Sequence, residues 1–95
     1  MTKFLKDLIP FDERRTTFIL YCDRQGISLN KKINNSNKRL MYVLDLETFN
    51  KVKESYKNYK NYKKRGCYVK SGRLMDLALN DIENNLKEKE IKCLN

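Results

Sequence analysis

The sequence predicts a small α+β fold, with short strands followed by a long helix and a second helix. Three observations point there. RLMYVLDL, residues 39–46, is rich in aliphatic, aromatic and β-branched side chains, the composition of a pleated segment. From Glu47 the apolar spacing lengthens to three and four, with Phe49, Val52, Tyr56 and Tyr59 in step, which is one stripe of a helix. After Gly66 the same spacing resumes in RLMDLALNDIENNL. The 95 residues suffice for one modest core and not for two.

Taken in order, Thr2 reads as the cap of a short helix through Ile9, with Phe4, Leu5, Leu8 and Ile9 on one face and Pro10 ending it. TTFILYC, residues 16–22, has the β-branched and aromatic content of a strand. Residues 23–38, DRQGISLNKKINNSNK, read as a basic loop with one weak strand across Ile27 to Ile33. A strand from Arg39 to Leu46 runs into the long helix, which continues to about Arg65, where Gly66 supplies a left-handed stop. In SYKNYKNYKKRG, Tyr56 and Tyr59 belong to the core stripe. Tyr62 drifts off it by roughly 60° relative to Tyr59 and falls at its margin. Ser71 caps the last helix, whose Leu74, Met75, Ala78, Leu79, Ile82 and Leu86 share one apolar arc. The reading is a single domain over 1–95: an extension (1–38), a core (39–86) and a charged tail (87–95).

Charge is unevenly placed. Residues 24–73 hold fourteen basic and three acidic residues, whereas 1–23 balance and 74–95 are slightly acidic. A positive middle within a chain of net charge +9 reads as a surface for a polyanion. Cys22, Cys67 and Cys93 are odd in number, far apart and accompanied by no histidine. That excludes the usual zinc spacings and suggests idle thiols in a reducing cytoplasm. The amino terminus is broken by charges and no apolar run approaches bilayer length, so a cytoplasmic, soluble protein is expected. Without histidine, neither a Ser-His nor a Cys-His nucleophile can be built. No Gly-rich phosphate loop exists. Asp45 and Glu47 read as charges complementing a helix dipole, not as metal ligands. The chain is not expected to be an enzyme, and no catalytic, cofactor or metal site is assigned.

The stretch from Arg39 to Leu86 resembles the ribbon-helix-helix family of DNA-binding proteins. RLMYVLDLETFNKV looks like that family's strand running into its first helix, and RLMDLALNDIENNL like the apolar run of its second. The resemblance covers about half of the chain and implies a homodimer whose paired strands enter the major groove of DNA. Carried onto this sequence, Arg39, Met41 and Val43, with Asp45 at the strand end, would face the bases. Leu40, Tyr42, Leu44 and Leu46 would face the core. Ser71, Gly72 and Arg73 would hold a phosphate at the start of the second helix. A winged helix or another small α+β arrangement is the alternative.

The expected function is sequence-specific or general binding of double-stranded DNA, as a small transcriptional regulator or a plasmid or phage accessory protein. Lys31, Lys32, Lys38, Arg39, Lys60, Lys63, Lys64, Arg65, Lys70 and Arg73 would neutralise phosphates. No membrane and no small-molecule substrate is expected. The alternative is a small inhibitor encoded by a mobile element, which binds a nucleic-acid-handling protein through a strand that suits sheet augmentation. A third reading, RNA stacking on Tyr62 and Tyr68, ranks below both.

Overall fold

The described elements run β1 (Thr2–Phe4), α1 (Leu5–Leu8), α2 (Asp12–Arg24), β2 (Asn30–Asn34), β3 (Arg39–Asp45), α3 (Leu46–Tyr62) and α4 (Lys70–Leu94). The computed structural model describes the backbone of residues 2–62 and 70–94 and the side chains of 2–60 and 72–86. The protein is α+β: the three strands form one antiparallel sheet in the order β1-β3-β2. β3 is bonded along Arg39 to Val43 by β2, and along Val43 to Asp45 by β1. Both neighbours of β3 therefore come from its own chain, where the ribbon-helix-helix resemblance would place a second copy.

The first 38 residues are not an extension. They contribute β1 and β2, and Leu5, Leu8, Ile9, Phe18 and Cys22 share a core with Leu44, Phe49, Val52, Tyr56, Met75, Ala78 and Ile82. Phe49, Val52 and Tyr56 keep the expected spacing along α3, and Met75, Ala78 and Ile82 along α4. Tyr59 closes the α3 stripe at the rim, 40% exposed. The backbone of α4 stays helical through Leu94.

The strand expected over 16–22 is a helix, α2. Its apolar run offers no clean period, because Phe18 through Cys22 are all apolar; such a run fits a buried strand or a helix equally well. Tertiary packing decides. Phe18 and Cys22, four apart, are buried while Leu20 is 49% exposed, and α2 packs against α4. Asp12 and Glu13 lie in the first turn of α2 and Arg24 in its last, each the favourable sign for the dipole. The stop is a Schellman motif. Gly26, at φ 72, takes the left-handed position; its N–H donates to Asp23 O at 3.2 Å, and that of Ile27 donates to Cys22 O at 2.9 Å.

The amino-terminal segment also departs from expectation. Thr2 is in a strand rather than capping a helix, and only Leu5–Leu8 coil. A one-turn helix leaves its carbonyls without internal donors, and this one borrows them. Asn85 Nδ2 of α4 donates to Leu8 O at 2.7 Å, and Arg15 donates to Ile9 O at 2.7 Å. Lys3 Nζ donates in return to Asn85 O at 2.8 Å. An Arg14–Asp81 ion pair at 2.8 Å ties α2 to α4.

Asp45 is the boundary between sheet and long helix. Its carboxylate accepts the Thr48 N–H at 2.9 Å, satisfying an orphan donor of the first turn of α3. Bonds from the Thr48 side chain, first, and then its backbone hold Asp45 below the usual carboxylate range. Because the chain turns helical here, Leu46 leaves the strand alternation and is 48% exposed, not in the core.

Candidate nucleic-acid interface

The β2–β3 hairpin is the most cationic element whose side chains are described. Antiparallel pairing matches Lys31 with Tyr42, Lys32 with Met41, Ile33 with Leu40 and Asn34 with Arg39, leaving 35–38 as the connection. Its geometry is held by its own side chains. Asn34 Oδ1 accepts the Ser36 N–H at 2.8 Å and Asn37 Oδ1 accepts the Arg39 N–H at 3.0 Å. The Lys38 N–H reaches Asn34 O at 2.7 Å. Lys38 itself takes φ 60, a left-handed conformation that an L-residue adopts when its surroundings require it. Asn34 and Asn37 amides also point at Met41 Sδ, at 3.5 and 3.4 Å.

From Asn30 to Leu40 every residue is exposed except Asn34, which is half-buried. Lys31, Lys32, Lys38 and Arg39 therefore all stand in solvent, and no acidic residue occurs between Arg24 and Leu44. Alternation sends Lys31 and Lys32 to opposite sides of β2. The Lys31 ammonium lies 4.9 Å from the centre of the Tyr42 ring, a cation–π contact that positions it without removing its charge.

The second cationic region, between α3 and α4, differs in kind. Lys60 meets Asp76 at 3.4 Å and Lys53 meets Glu83 at 3.8 Å, all four side chains substantially exposed. Such pairs contribute little to stability, but they cancel much of the field that a polyanion would feel. Arg73 is exposed on α4. The phosphate clamp expected around Ser71 is not a helix cap, since α4 is already helical at Lys70. Gly72 O accepts the Tyr56 hydroxyl at 3.0 Å. The side chains of Lys63, Lys64, Arg65, Lys70 and Ser71, and the stacking pair Tyr62 and Tyr68, lie outside the described residues, as do the Gly66 stop, Cys67 and Cys93.

Of the four strand residues expected to face the bases, one stands free; Asp45 caps α3 instead. Arg39 is exposed at the hairpin end. Val43 is 7% exposed, because it is flanked on both sides by strand partners, Phe4 and Asn30. Met41 is half-buried, its sulfur engaged by the two asparagines. The expected alternation itself holds for Tyr42 and Leu44, which pack on the core. It fails in its consequence for Leu40, which shares their side but is 63% exposed because the hairpin has run past the helices.

Three groupings of side chains here did not follow from the sequence. Ile33 and Leu40 are the hairpin's exposed apolar pair. Arg24 lines a groove with Leu20 and Tyr59, and Leu20 also borders the groove that Lys31 and Tyr42 line. Tyr21, Tyr56 and Tyr59 form an aromatic trio with ring centres 5.4 to 6.2 Å apart. Its anchoring bonds, Tyr21 to Ser55 Oγ at 2.9 Å and Tyr56 to Gly72, explain why these tyrosines are structural. Burial raises the Tyr21 phenol above its usual range. Burial also pushes the Cys22 thiol up to about 12, so it has little nucleophilic character. Among the described residues no helix is long and apolar enough to cross a membrane.

No family model, curated protein or solved structure matches the chain.

Proposed function

We propose that this protein binds double-stranded DNA through the β2–β3 hairpin, in the service of regulation or of a plasmid or phage accessory process. The observation that carries the reading is the hairpin end. Four cations stand in solvent on a preorganised two-stranded element, within a stretch free of acidic residues. A β-ribbon is narrow enough to lie in a major groove, and lysine and arginine there neutralise phosphates on either side. The fold also shares with the winged-helix alternative a helix pair, α1 and α2, joined by a three-residue turn and followed by a hairpin. That likeness is one of architecture alone. The first turn of α2 carries Asp12 and Glu13, the wrong sign for a helix that enters a groove, so the hairpin takes the role.

Association into a homodimer is part of the proposal. In this fold a second copy would join at a free surface, the outer edge of β2 for instance, because β3 is flanked from within the chain. That open edge also supports the second reading, strand addition by a protein partner. Titration of a labelled duplex at two salt concentrations tests the first reading. The expected result is binding whose affinity falls steeply with salt; affinity weaker than about millimolar at low salt, below ordinary non-specific binding, overturns it. A nuclease-resistant, stoichiometric protein complex recovered in place of DNA selects the second.

A further inference from the structure

Ile33 and Leu40 are 59% and 63% exposed, the two most exposed of the large hydrophobic residues described. They are also each other's cross-strand partners, one rung from the connection 35–38. Scattered exposed aliphatics need no explanation. A pair of them placed together near the end of a braced hairpin, with Lys31 on their own side of the ribbon, Lys38 in the connection, and Lys32 and Arg39 on the opposite side, is a different arrangement. Charge complementarity names the occupant: the surroundings suit a polyanion, and the largest apolar surface within a DNA duplex is the faces of its stacked bases, far larger than the thymine methyls in its groove. We propose that Ile33 and Leu40 form a wedge that enters the duplex at a base step and partly unstacks it, while Lys31 and Lys38 hold the flanking phosphates and Lys32 and Arg39, on the other side of the ribbon, reach the backbone beyond them.

A wedge must not collapse when it meets resistance, and the Asn34 and Asn37 side chains together with the Lys38-to-Asn34 backbone bond brace the tip. Entry removes both aliphatic side chains from water, and the kinked duplex then presents more phosphate to the hairpin cations. Neither residue offers a donor or acceptor, so the site prefers steps that unstack easily over any base pattern read by hydrogen bonds. This inference rests on the DNA-binding reading and says how that binding is done.

The test uses the full chain with a short duplex that carries a fluorophore at each end and, in a parallel set, 2-aminopurine at successive positions. Binding is expected to shorten the end-to-end distance, as a kink of about 20–90° does, and to brighten 2-aminopurine at the entered step. The variant Ile33→Ser/Leu40→Ser is expected to lose both signals and about tenfold or more in affinity, with a salt dependence no steeper than wild type, since a straight duplex presents fewer phosphates to the hairpin. Ile33→Val/Leu40→Met should restore both signals. Thermal melts check folding, which these exposed positions do not control. Wild-type protein that binds a straight, fully stacked duplex overturns the wedge and leaves the DNA reading standing; protein that binds no duplex at any salt removes both. Vesicles of phosphatidylcholine with phosphatidylserine serve as a third arm. If the serine variant loses vesicle binding while DNA affinity is unchanged, the pair faces lipid and the wedge is refuted.

Discussion

Replacing the four hairpin cations measures whether they act together on phosphate. In Lys31→Gln/Lys32→Gln/Lys38→Gln/Arg39→Gln, every altered side chain is exposed, so stability should stay within about 0.5 kcal/mol. Each neutralised phosphate contributes about 0.9 to the slope of log affinity against log salt. Four contacts therefore contribute a slope of about 3.6, which makes the hairpin's share of binding fall by about 150-fold between 50 and 200 mM salt. The variant should lose that sensitivity, its slope shallower than wild type by about 3 to 4. Fluorescence anisotropy on one duplex across five salt concentrations reads the slope directly. A matched pair guards against a mere net-charge effect. Lys31→Gln/Lys32→Gln and Lys6→Gln/Lys51→Gln each remove two positive charges from exposed positions; the first should lower the slope by about 1.8 and the second by much less. Equal losses in the two double variants would refute a localised hairpin contact.

Three further outcomes are expected. Asp45→Ala should cost about 1 kcal/mol by removing the α3 cap, a fall of roughly 4–8 °C in melting temperature, whereas Asp45→Asn, which still caps, should cost less. Because its bonds to Thr48 hold the folded carboxyl below the usual carboxylate range, its contribution is complete above the unfolded carboxyl's range and is lost as pH falls through the lowered value. The wild-type advantage over Asp45→Asn should therefore shrink in melts below about pH 4, and an advantage that grew with acid would contradict the assignment. Tyr56→Phe keeps the ring and loses the bond to Gly72 O, so chemical denaturation should show a loss of about 1 kcal/mol with DNA affinity unchanged; a variant as stable as wild type would show the bond to be idle. In a chain with Cys67 and Cys93 replaced by serine, Cys22 should resist a thiol reagent at pH 8 until denaturant is added. Rapid labelling of the folded chain would contradict its burial.

The second half of the fold was legible from spacing, the first half much less so. Phe49, Val52 and Tyr56, like Met75, Ala78 and Ile82, follow a helical period that burial alone enforces, and alternation correctly placed Tyr42 and Leu44 inward. α2 was misread because five consecutive apolar residues erase the period, and β propensity then outweighs weaker cues. Those cues were present: acidic residues before the run, Arg24 after it, and Gly26 two residues on, where a helix stop needs a left-handed residue. The cap at Asp45 could have been found from the Asp-x-x-Thr spacing at the switch from strand to helix. The three-stranded sheet was not legible, since β1 is three residues long and pairs with a segment forty residues away. In the candidate site, the exposure of Lys31, Lys32, Lys38 and Arg39 followed from composition. Neutralisation of Lys60 by Asp76 did not, because it depends on how α3 and α4 meet, nor did Leu40, whose fate depends on where the helices end.

The outer edge of β2 is a row of backbone groups awaiting a partner, and Lys31 and Lys32 sit upon it. Like charges on two such edges oppose their pairing, so the homodimer proposed above would form more readily where those charges are neutralised. On the proposed DNA-binding reading, a phosphate lattice would supply the counter-charge, and adjacent molecules on one duplex would become able to zip their sheets together. Self-assembly would then be a property of the occupied duplex rather than of the solution.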